Sequence, residues 1–122
     1  MSQTILVIED QEDNRRILRD LLSSAGFDIV EAVDGEKGVA AAAAHVPDLI
    51  LMDIQLPVID GLEATRRIKA QAALRHIPII AVTSYALSGD EAKARAAGCD
   101  DYVTKPFSPR QLLAKVKGHL AA

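Results

Sequence analysis

The chain has 122 residues, 49% of them hydrophobic and 25% charged, which fits one folded domain spanning residues 1–122. The net charge of −3 argues against a nonspecific nucleic-acid binder, and the single cysteine, Cys99, excludes an internal disulfide. No apolar stretch approaches the ~20 residues of a membrane span, and the N-terminus lacks the basic start of a signal peptide, so we expect a cytoplasmic protein without membrane contact.

Strand-like and helix-like segments alternate along the whole chain. Short runs, mostly apolar and rich in β-branched residues, predict five strands, at 4–9, 27–32, 48–53, 77–84 and 100–105. Helical spacing, good helix formers and capping residues predict five helices, at 11–26, 34–45, 60–71, 88–98 and 108–120. Strands that alternate with helices at this spacing predict an α/β fold with a parallel sheet covered on both faces.

Several helix ends carry capping signals. Gly26 stands where the C-cap of the first helix belongs. Ser88 and Ser108 are predicted N-caps of the fourth and fifth helices, and Pro109 is predicted at the first helical position. Asp10 lies just before the first predicted helix and, considered alone, could be its N-cap.

Polar residues follow the apolar runs at the carboxyl ends of four predicted strands. They are three carboxylates, two hydroxyls and one lysine: Glu9, Asp10, Asp53, Thr83, Ser84 and Lys105. Taken singly, Asp53 could begin a loop, Thr83 could be an ordinary strand residue and Lys105 could be a solvated charge. Ligands of parallel sheets bind at the carboxyl ends of the strands. The presence of all six residues at these ends therefore favours a functional site at this edge.

The chemistry of this set points to phosphoryl transfer. Three converging carboxylates repel one another unless a cation compensates them. Oxygen ligands in an incomplete cage suit Mg²⁺, which keeps several waters and shares itself with a phosphate. Lys105 adds a positive charge opposite, so Asp53 is predicted to be a nucleophile that becomes phosphorylated.

At this point the sequence resembles the receiver domain of two-component response regulators over essentially its whole length. The resemblance rests on five motifs: "ED" (9–10), "RRILRDLLSSAGF" (15–27), "LILMDIQLPVIDG" (49–61), "IIAVTS" (79–84) and "GCDDYVTKPF" (98–107). It implies a flavodoxin-like, doubly wound fold of five βα units with a five-stranded parallel sheet in the order 2-1-3-4-5.

The resemblance also implies a role for each site residue. Asp53 would accept a phosphoryl group from a phosphohistidine, and Thr83 and Lys105 would contact that group. Tyr102 would be the switch aromatic, and the peptide bond before Pro106 would be cis. The implied Mg²⁺ ligands are carboxylates and one backbone carbonyl: Asp10, Asp53, the carbonyl of Gln55, and Glu9, which would help position the ion through water.

Two features bear on how the pocket behaves. Glu9 stands where aspartate is commoner in the family, so the longer side chain puts the metal geometry in question while keeping the charge. Gln55 and Tyr85 occupy positions that tune the lifetime of the phosphoryl group in the family.

Three other classes of protein are disfavoured. A haloacid-dehalogenase-like phosphatase needs a second aspartate two residues after the nucleophile, where this chain has Gln55. A flavodoxin-like flavin binder needs a Ser/Thr/Gly-rich phosphate loop, whereas residues 9–14 read "EDQEDN". A binding module without phosphorylation would be expected to lack Asp53, Thr83 or Lys105.

We therefore expect a stand-alone receiver with no output domain, which is a signalling protein and not an enzyme beyond self-phosphotransfer and autodephosphorylation. Its expected partners are a histidine kinase or histidine phosphotransfer protein and a downstream protein that binds helix four, strand five and helix five, with no direct DNA binding. Residues 83–109 are similar both to single-domain cell-division regulators and to receivers of hybrid kinases. A phosphorelay shuttle thus remains the alternative to a messenger.

Overall fold

The computed structural model describes residues 2–83 and 90–120. Its strands are β1 (Thr4–Ile8), β2 (Asp28–Ala32), β3 (Leu49–Asp53), β4 (Ile79–Thr83) and β5 (Asp101–Thr104). Its helices are α1 (Glu12–Ser24), α2 (Gly35–His45), α3 (Gly61–Lys69), α4 (Asp90–Ala97) and α5 (Pro109–Leu120). In the part of the chain described, no helix is both long and apolar enough to cross a membrane.

The five strands form one parallel sheet in the order β2-β1-β3-β4-β5, which confirms the predicted fold and strand order. β3 lies between β1 and β4, and every residue of β3 and β4 is buried. The carboxyl ends of β1, β3, β4 and β5 therefore open toward one edge of the sheet, because parallel strands share a direction.

Two apolar clusters fill the two faces of the sheet. Alternate residues of the same strand serve opposite faces, as Ile50 and Leu51 of β3 do. One cluster joins the sheet to α2, α3 and α4 through residues such as Ala42, Ile68 and Ala94. The other joins it to α1 and α5 through residues such as Leu22 and Leu112. Helices on both faces explain why β3 and β4 read as continuous apolar runs.

Element boundaries differ from the sequence predictions at several ends. β4 begins at Ile79 and not at residue 77, and Pro78, just before it, has no N–H for a strand ladder. The capping interpretation of Asp10 is wrong, since Gln11 is the N-cap of α1, without a side-chain capping hydrogen bond. Gly26 lies one residue beyond the C-cap, with a φ of +94°.

The predicted start of α5 is confirmed. The helix begins at Pro109, and the backbone N–H of Gln111 donates to Ser108 Oγ at 3.4 Å. Three other predictions, on Ser84, Tyr85 and Ser88, lie outside the described residues.

Candidate functional site

The carboxyl ends of β1 and β3 place two acidic side chains next to each other. Glu9 follows β1 directly, Asp53 ends β3, and the two strands pair through Ile8 and Met52 one residue earlier. Both side chains are almost fully buried, with Glu9 2% and Asp53 4% exposed. Asp10, the next residue along the chain, is exposed. The site thus has two buried carboxylates and a third at its mouth.

Lys105 reaches the same place from the end of β5. Its Nζ lies 3.0 Å from Glu9 Oε2 and 3.3 Å from Asp53 Oδ2. The lysine is itself held by its backbone N–H, which donates to the carbonyl of Thr83 at 2.6 Å. The Lys105–Pro106 peptide bond is cis, which confirms that prediction. One ammonium group therefore bridges both buried carboxylates.

The second oxygen of Glu9 is also occupied by protein donors. Glu9 Oε1 accepts hydrogen bonds from the backbone N–H of Gln11 and from Asn14 Nδ2, each at 3.3 Å. The carbonyl oxygen of Glu9 accepts from Arg15 Nη1 at 2.9 Å. Asn14 and Arg15 were not among the predicted site residues, although their place in the helix just after the acidic pair was a usable signal.

Gln55 links the nucleophile to the hydroxyl on the neighbouring strand. Its backbone N–H donates to Asp53 Oδ1 at 3.0 Å, and its side-chain Nε2 donates to Thr83 Oγ1 at 2.8 Å. Thr83 is fully buried at the end of β4. The structure thus brings Gln55 and Thr83 to the site, while the metal-binding role of the Gln55 carbonyl stays a prediction.

A tight turn after β3 holds the loop against the site. A Cβ atom added at Gly61 would lie 2.2 Å from the carbonyl oxygen of Asp53, so only glycine fits there without movement. The N–H of Gly61 donates to the carbonyl of Ile54 at 2.9 Å, and Asp60 caps α3 through the N–H of Glu63. These contacts hold both ends of the loop 54–60 close to the end of β3.

Burial and charge shift the ionisation of the site. Burial, the hydrogen bond to Glu9 and the charge of Glu9 raise the pKa of Asp53 to about 7, against the opposing effect of Lys105. Burial also acts to raise the pKa of Glu9, but hydrogen bonds with Asp53 and Lys105 outweigh it and lower that pKa. Burial acts to lower the pKa of Lys105, but its two carboxylate partners raise it overall. Glu9 and Lys105 are therefore the charged pair, and Asp53 holds its proton more tightly.

The three carboxylates fit a hard divalent cation. Glu9, Asp10 and Asp53 each offer an oxygen, and these oxygens lie within 4.8 Å of one another. Mg²⁺ takes oxygen ligands at about 2.1 Å, so ligands on opposite sides of the ion lie about 4.2 Å apart. Protein donors already contact both oxygens of Glu9 and both oxygens of Asp53, so the division into direct and water-mediated Mg²⁺ ligands stays a prediction.

Tyr102 lies apart from the carboxylates. It belongs to β5, pairs with Ala81 of β4 and packs, half-buried, against the apolar cluster beneath α3 and α4. β4 therefore stands between Asp53 and Tyr102 and carries Thr83 at its end. This placement leaves the switch role of Thr83 and Tyr102 a prediction.

Known proteins match this chain over almost its whole length. The model of the response regulator receiver domain matches residues 5–117. The polar-differentiation response regulator DivK of Brucella ovis is 42% identical over 120 residues, covering 98% of each chain.

Two solved structures are similar throughout. The receiver domain of a sensor histidine kinase from Pseudomonas aeruginosa, with a magnesium ion coordinated in its active-site cleft, is 38% identical, with a TM-score of 0.93 and complete coverage of both chains. The receiver domain of a signal transduction histidine kinase from Syntrophus aciditrophicus is 31% identical, with a TM-score of 0.92, and covers 98% of this chain and 91% of its own. With its fold, its acidic pocket and these relatives, the chain belongs to the response regulator receiver domain family.

Proposed function

We propose that this protein is a stand-alone cytoplasmic response regulator that is phosphorylated on Asp53. The observation that carries the proposal is the buried Asp53 carboxylate between Glu9, Asp10 and Lys105. The single-domain organisation is supported by the DivK relatives, 98% of whose length is matched by this one receiver unit.

The proposed reaction is the transfer of a phosphoryl group from a phosphohistidine to Asp53. Asp53 first releases its proton to water, and an oxygen of the resulting carboxylate then attacks phosphorus. The new P–O bond forms as the P–N bond breaks, and the imidazole leaves with the electron pair of that bond. Lys105 Nζ, already 3.3 Å from Asp53 Oδ2, donates to the phosphoryl oxygens. A bound Mg²⁺ would neutralise charge on the same oxygens, held by Asp10, Asp53 and the Gln55 carbonyl, with Glu9 acting through water.

The proposed output begins at Thr83. Phosphorylation adds up to two negative charges and three acceptor oxygens at Asp53. The Thr83 hydroxyl, which accepts from Gln55 Nε2 in this structure, then donates to the phosphoryl group, and β4 moves with it. This movement vacates space beside Tyr102, whose ring can then rotate from an exposed to a buried position. The elements α4, β5 and α5 would present an altered surface to a downstream protein. Phosphorylation would shift the population of existing conformations.

The first test is phosphorylation by a small phosphodonor such as acetyl phosphate. We expect one Mg²⁺-dependent phosphoryl group on Asp53, located by mass spectrometry after borohydride trapping. Asp53→Asn should abolish it and Asp10→Ala should weaken it, while Asp20→Asn on the exposed side of α1 should leave it unchanged. A phosphoryl group on another residue would overturn the proposal.

The second test concerns the output. Thr83→Ala should leave phosphorylation partly intact but weaken the phosphorylation-dependent capture of partners. If Thr83→Ala binds the same partners with the wild-type dependence on phosphorylation, the coupling through Thr83 and Tyr102 is wrong.

A groove beside the pocket is the place we propose for the phosphohistidine-bearing partner. It has a volume of about 440 Å³, and its lining is mostly apolar: Asn14, Ile17, Leu18, Lys105, Pro106, Phe107 and Pro109. Because Lys105 lines the groove and also contacts Asp53, a protein seated there would lie beside the site of phosphorylation. Ile17, 55% exposed, would be its apolar contact.

A substitution in this groove should affect phosphorylation by a protein donor but not phosphorylation by a small-molecule donor. Ile17→Asp should slow phosphorylation by a phosphorylated histidine phosphotransfer protein and leave phosphorylation by acetyl phosphate unchanged. Val46→Asp, at an exposed valine before β3 and thus at the opposite end of the sheet, is the matched control. Equal rates with the protein donor for Ile17→Asp and wild type would contradict this docking site.

A phosphorelay shuttle is the second candidate, favoured by the likeness to receivers of two histidine kinases. The phosphorylated protein, mixed with an unphosphorylated histidine phosphotransfer protein, should then return the phosphoryl group to histidine. Loss of the group only as inorganic phosphate would favour the messenger.

A further inference from the structure

The two acidic residues at the end of β1 are joined by one peptide group. Its carbonyl belongs to Glu9 and its N–H to Asp10, and because the group is planar, fixing the carbonyl fixes the direction in which the chain enters Asp10. The N–H of Glu9 is also held, by the carbonyl of Ala32 on β2 at 3.1 Å. The orientation of Asp10 therefore depends on what binds the Glu9 carbonyl.

Arg15 is the residue that binds it. Arg15 Nη1 donates to the Glu9 carbonyl oxygen at 2.9 Å, although the two residues lie six positions apart on different elements. The Arg15 side chain is only 11% exposed, in contrast to the 57% of its neighbour Arg16. A long, flexible side chain kept this far from solvent has given up conformational freedom to hold one geometry.

Two carboxylates, those of Glu12 and Glu31, hold the Arg15 guanidinium in place. Its Nη2 pairs with Glu12 one turn earlier in α1, and its Nε lies 3.4 Å from Glu31 Oε1 on β2. Glu31 is itself held by Arg19, whose Nη1 lies 3.1 and 2.9 Å from its two oxygens. The guanidinium thus connects α1, β2 and the end of β1, and its planar fork leaves Nη1 directed at Glu9.

We infer that Arg15 is a positioning residue for the metal site, which orients Asp10 through the Glu9–Asp10 peptide group. The inference rests on the proposed function, in which Asp10 is a direct Mg²⁺ ligand. Arg15 touches neither the ion nor the phosphoryl group. Residues that orient metal ligands without binding the metal commonly change metal affinity by tenfold or more when they are replaced.

The sign of the effect separates positioning from charge. Arg15 is a cation close to a cation site, so removing its charge alone would make Mg²⁺ bind more tightly. Loss of orientation has the opposite effect, because the Asp10 carboxylate must then be ordered when the ion binds. A weaker Mg²⁺ complex in a variant that has lost a positive charge is therefore specific to the positioning role.

The experiment measures Mg²⁺ binding to the unphosphorylated protein by calorimetry for wild type, Arg15→Gln, Arg15→Lys and Arg16→Gln. We expect the Kd to rise about tenfold in Arg15→Gln and by less in Arg15→Lys, whose single ammonium reaches fewer partners. Arg16→Gln removes the same charge from the adjacent exposed residue and should bind Mg²⁺ as tightly as wild type or slightly more tightly.

A metal-free measurement tests the same contact. In amide NMR spectra recorded in EDTA, Arg15→Gln should shift or broaden the Asp10 and Gln11 signals, and Arg16→Gln should leave them in place. Should Arg15→Gln fail to fold, Arg15→Lys carries the test with the same expected signs. Wild-type or tighter Mg²⁺ binding in the Arg15 variant overturns the inference and leaves the proposed function intact, whereas absence of Mg²⁺ binding in wild type overturns the proposed function itself.

Discussion

Replacing Asp53 with asparagine should stabilise the metal-free protein at alkaline pH. The amide has the shape of the carboxyl group, keeps an oxygen for the N–H of Gln55 at Oδ1, and can donate to Glu9 as a protonated Asp53 does. The variant therefore stays neutral like the protonated site at every pH, although its NH₂ group cannot accept the hydrogen bond from Lys105 Nζ. Wild type must instead ionise a carboxyl group that is 4% exposed and next to another carboxylate.

The magnitude follows from the pKa of Asp53, which rises from 3.8 to about 7 on folding. Because the folded-state pKa is the higher one, the favourable contribution of this carboxyl is complete below pH 3.8 and is lost as the pH rises to about 7. Each pH unit in that window costs about 1.4 kcal/mol. From pH 5 to pH 8, wild type should lose about 2–3 kcal/mol that Asp53→Asn does not lose.

The assay is urea unfolding followed by circular dichroism in EDTA at pH 5 and pH 8. Asp20→Asn, an exposed position on α1, is the matched control and should follow wild type within about 0.5 kcal/mol at both pH values. A difference between Asp53→Asn and wild type that stays constant from pH 5 to pH 8, or that shrinks, would refute the reasoning about burial and charge.

Further predictions concern the metal and the frame around the site. Mg²⁺ at ten times its Kd should stabilise wild type by about 1.4 kcal/mol in thermal unfolding, and Asp10→Asn should lose most of that gain. Gly61→Ala should lower the free energy of unfolding by more than about 2 kcal/mol, since the new Cβ would lie 2.2 Å from a carbonyl oxygen. Gly118→Ala, in open space on α5, should leave that free energy unchanged or raise it. Equal effects of the two changes would contradict this prediction. Lys69→Met should destabilise by about 2 kcal/mol in urea unfolding, because Lys69 Nζ donates to two backbone carbonyls and one carboxylate around the start of β4.

Much of the site could be predicted from the sequence because of one geometric rule. Parallel strands end at a common edge, so residues that follow separate apolar runs, such as Asp53 and Lys105, are expected to meet there. Their side chains do meet, 3.3 Å apart across 52 positions of sequence. The precise starts of elements were less predictable, because strand pairing, which the local apolar pattern does not specify, makes β4 begin at Ile79 and not at residue 77.

The contacts of side chains around Glu9 could not be predicted in the same way. Asn14 and Arg15 follow the acidic pair closely in sequence, but which atoms of Glu9 their side chains bind is set by how the first turn of α1 lies beside the end of β1. The bond from Gln55 Nε2 to Thr83 Oγ1 depends likewise on the path of the loop after β3. A sequence pattern specifies which face of an element is buried, but not which polar atoms come within hydrogen-bond distance.

The order of strands and helices along the chain, and the acidic, hydroxyl and basic residues at the carboxyl edge, follow from the sequence alone. Apolar patterning gives the approximate strand ends, and the alternation of strands with helices implies that the strands are parallel. The bridge that Lys105 forms between Glu9 and Asp53, and the rise of the Asp53 pKa to about 7, follow only from the folded arrangement. Desolvation and charge depend on atoms from distant parts of the chain, which become neighbours only when the sheet and its helices have packed.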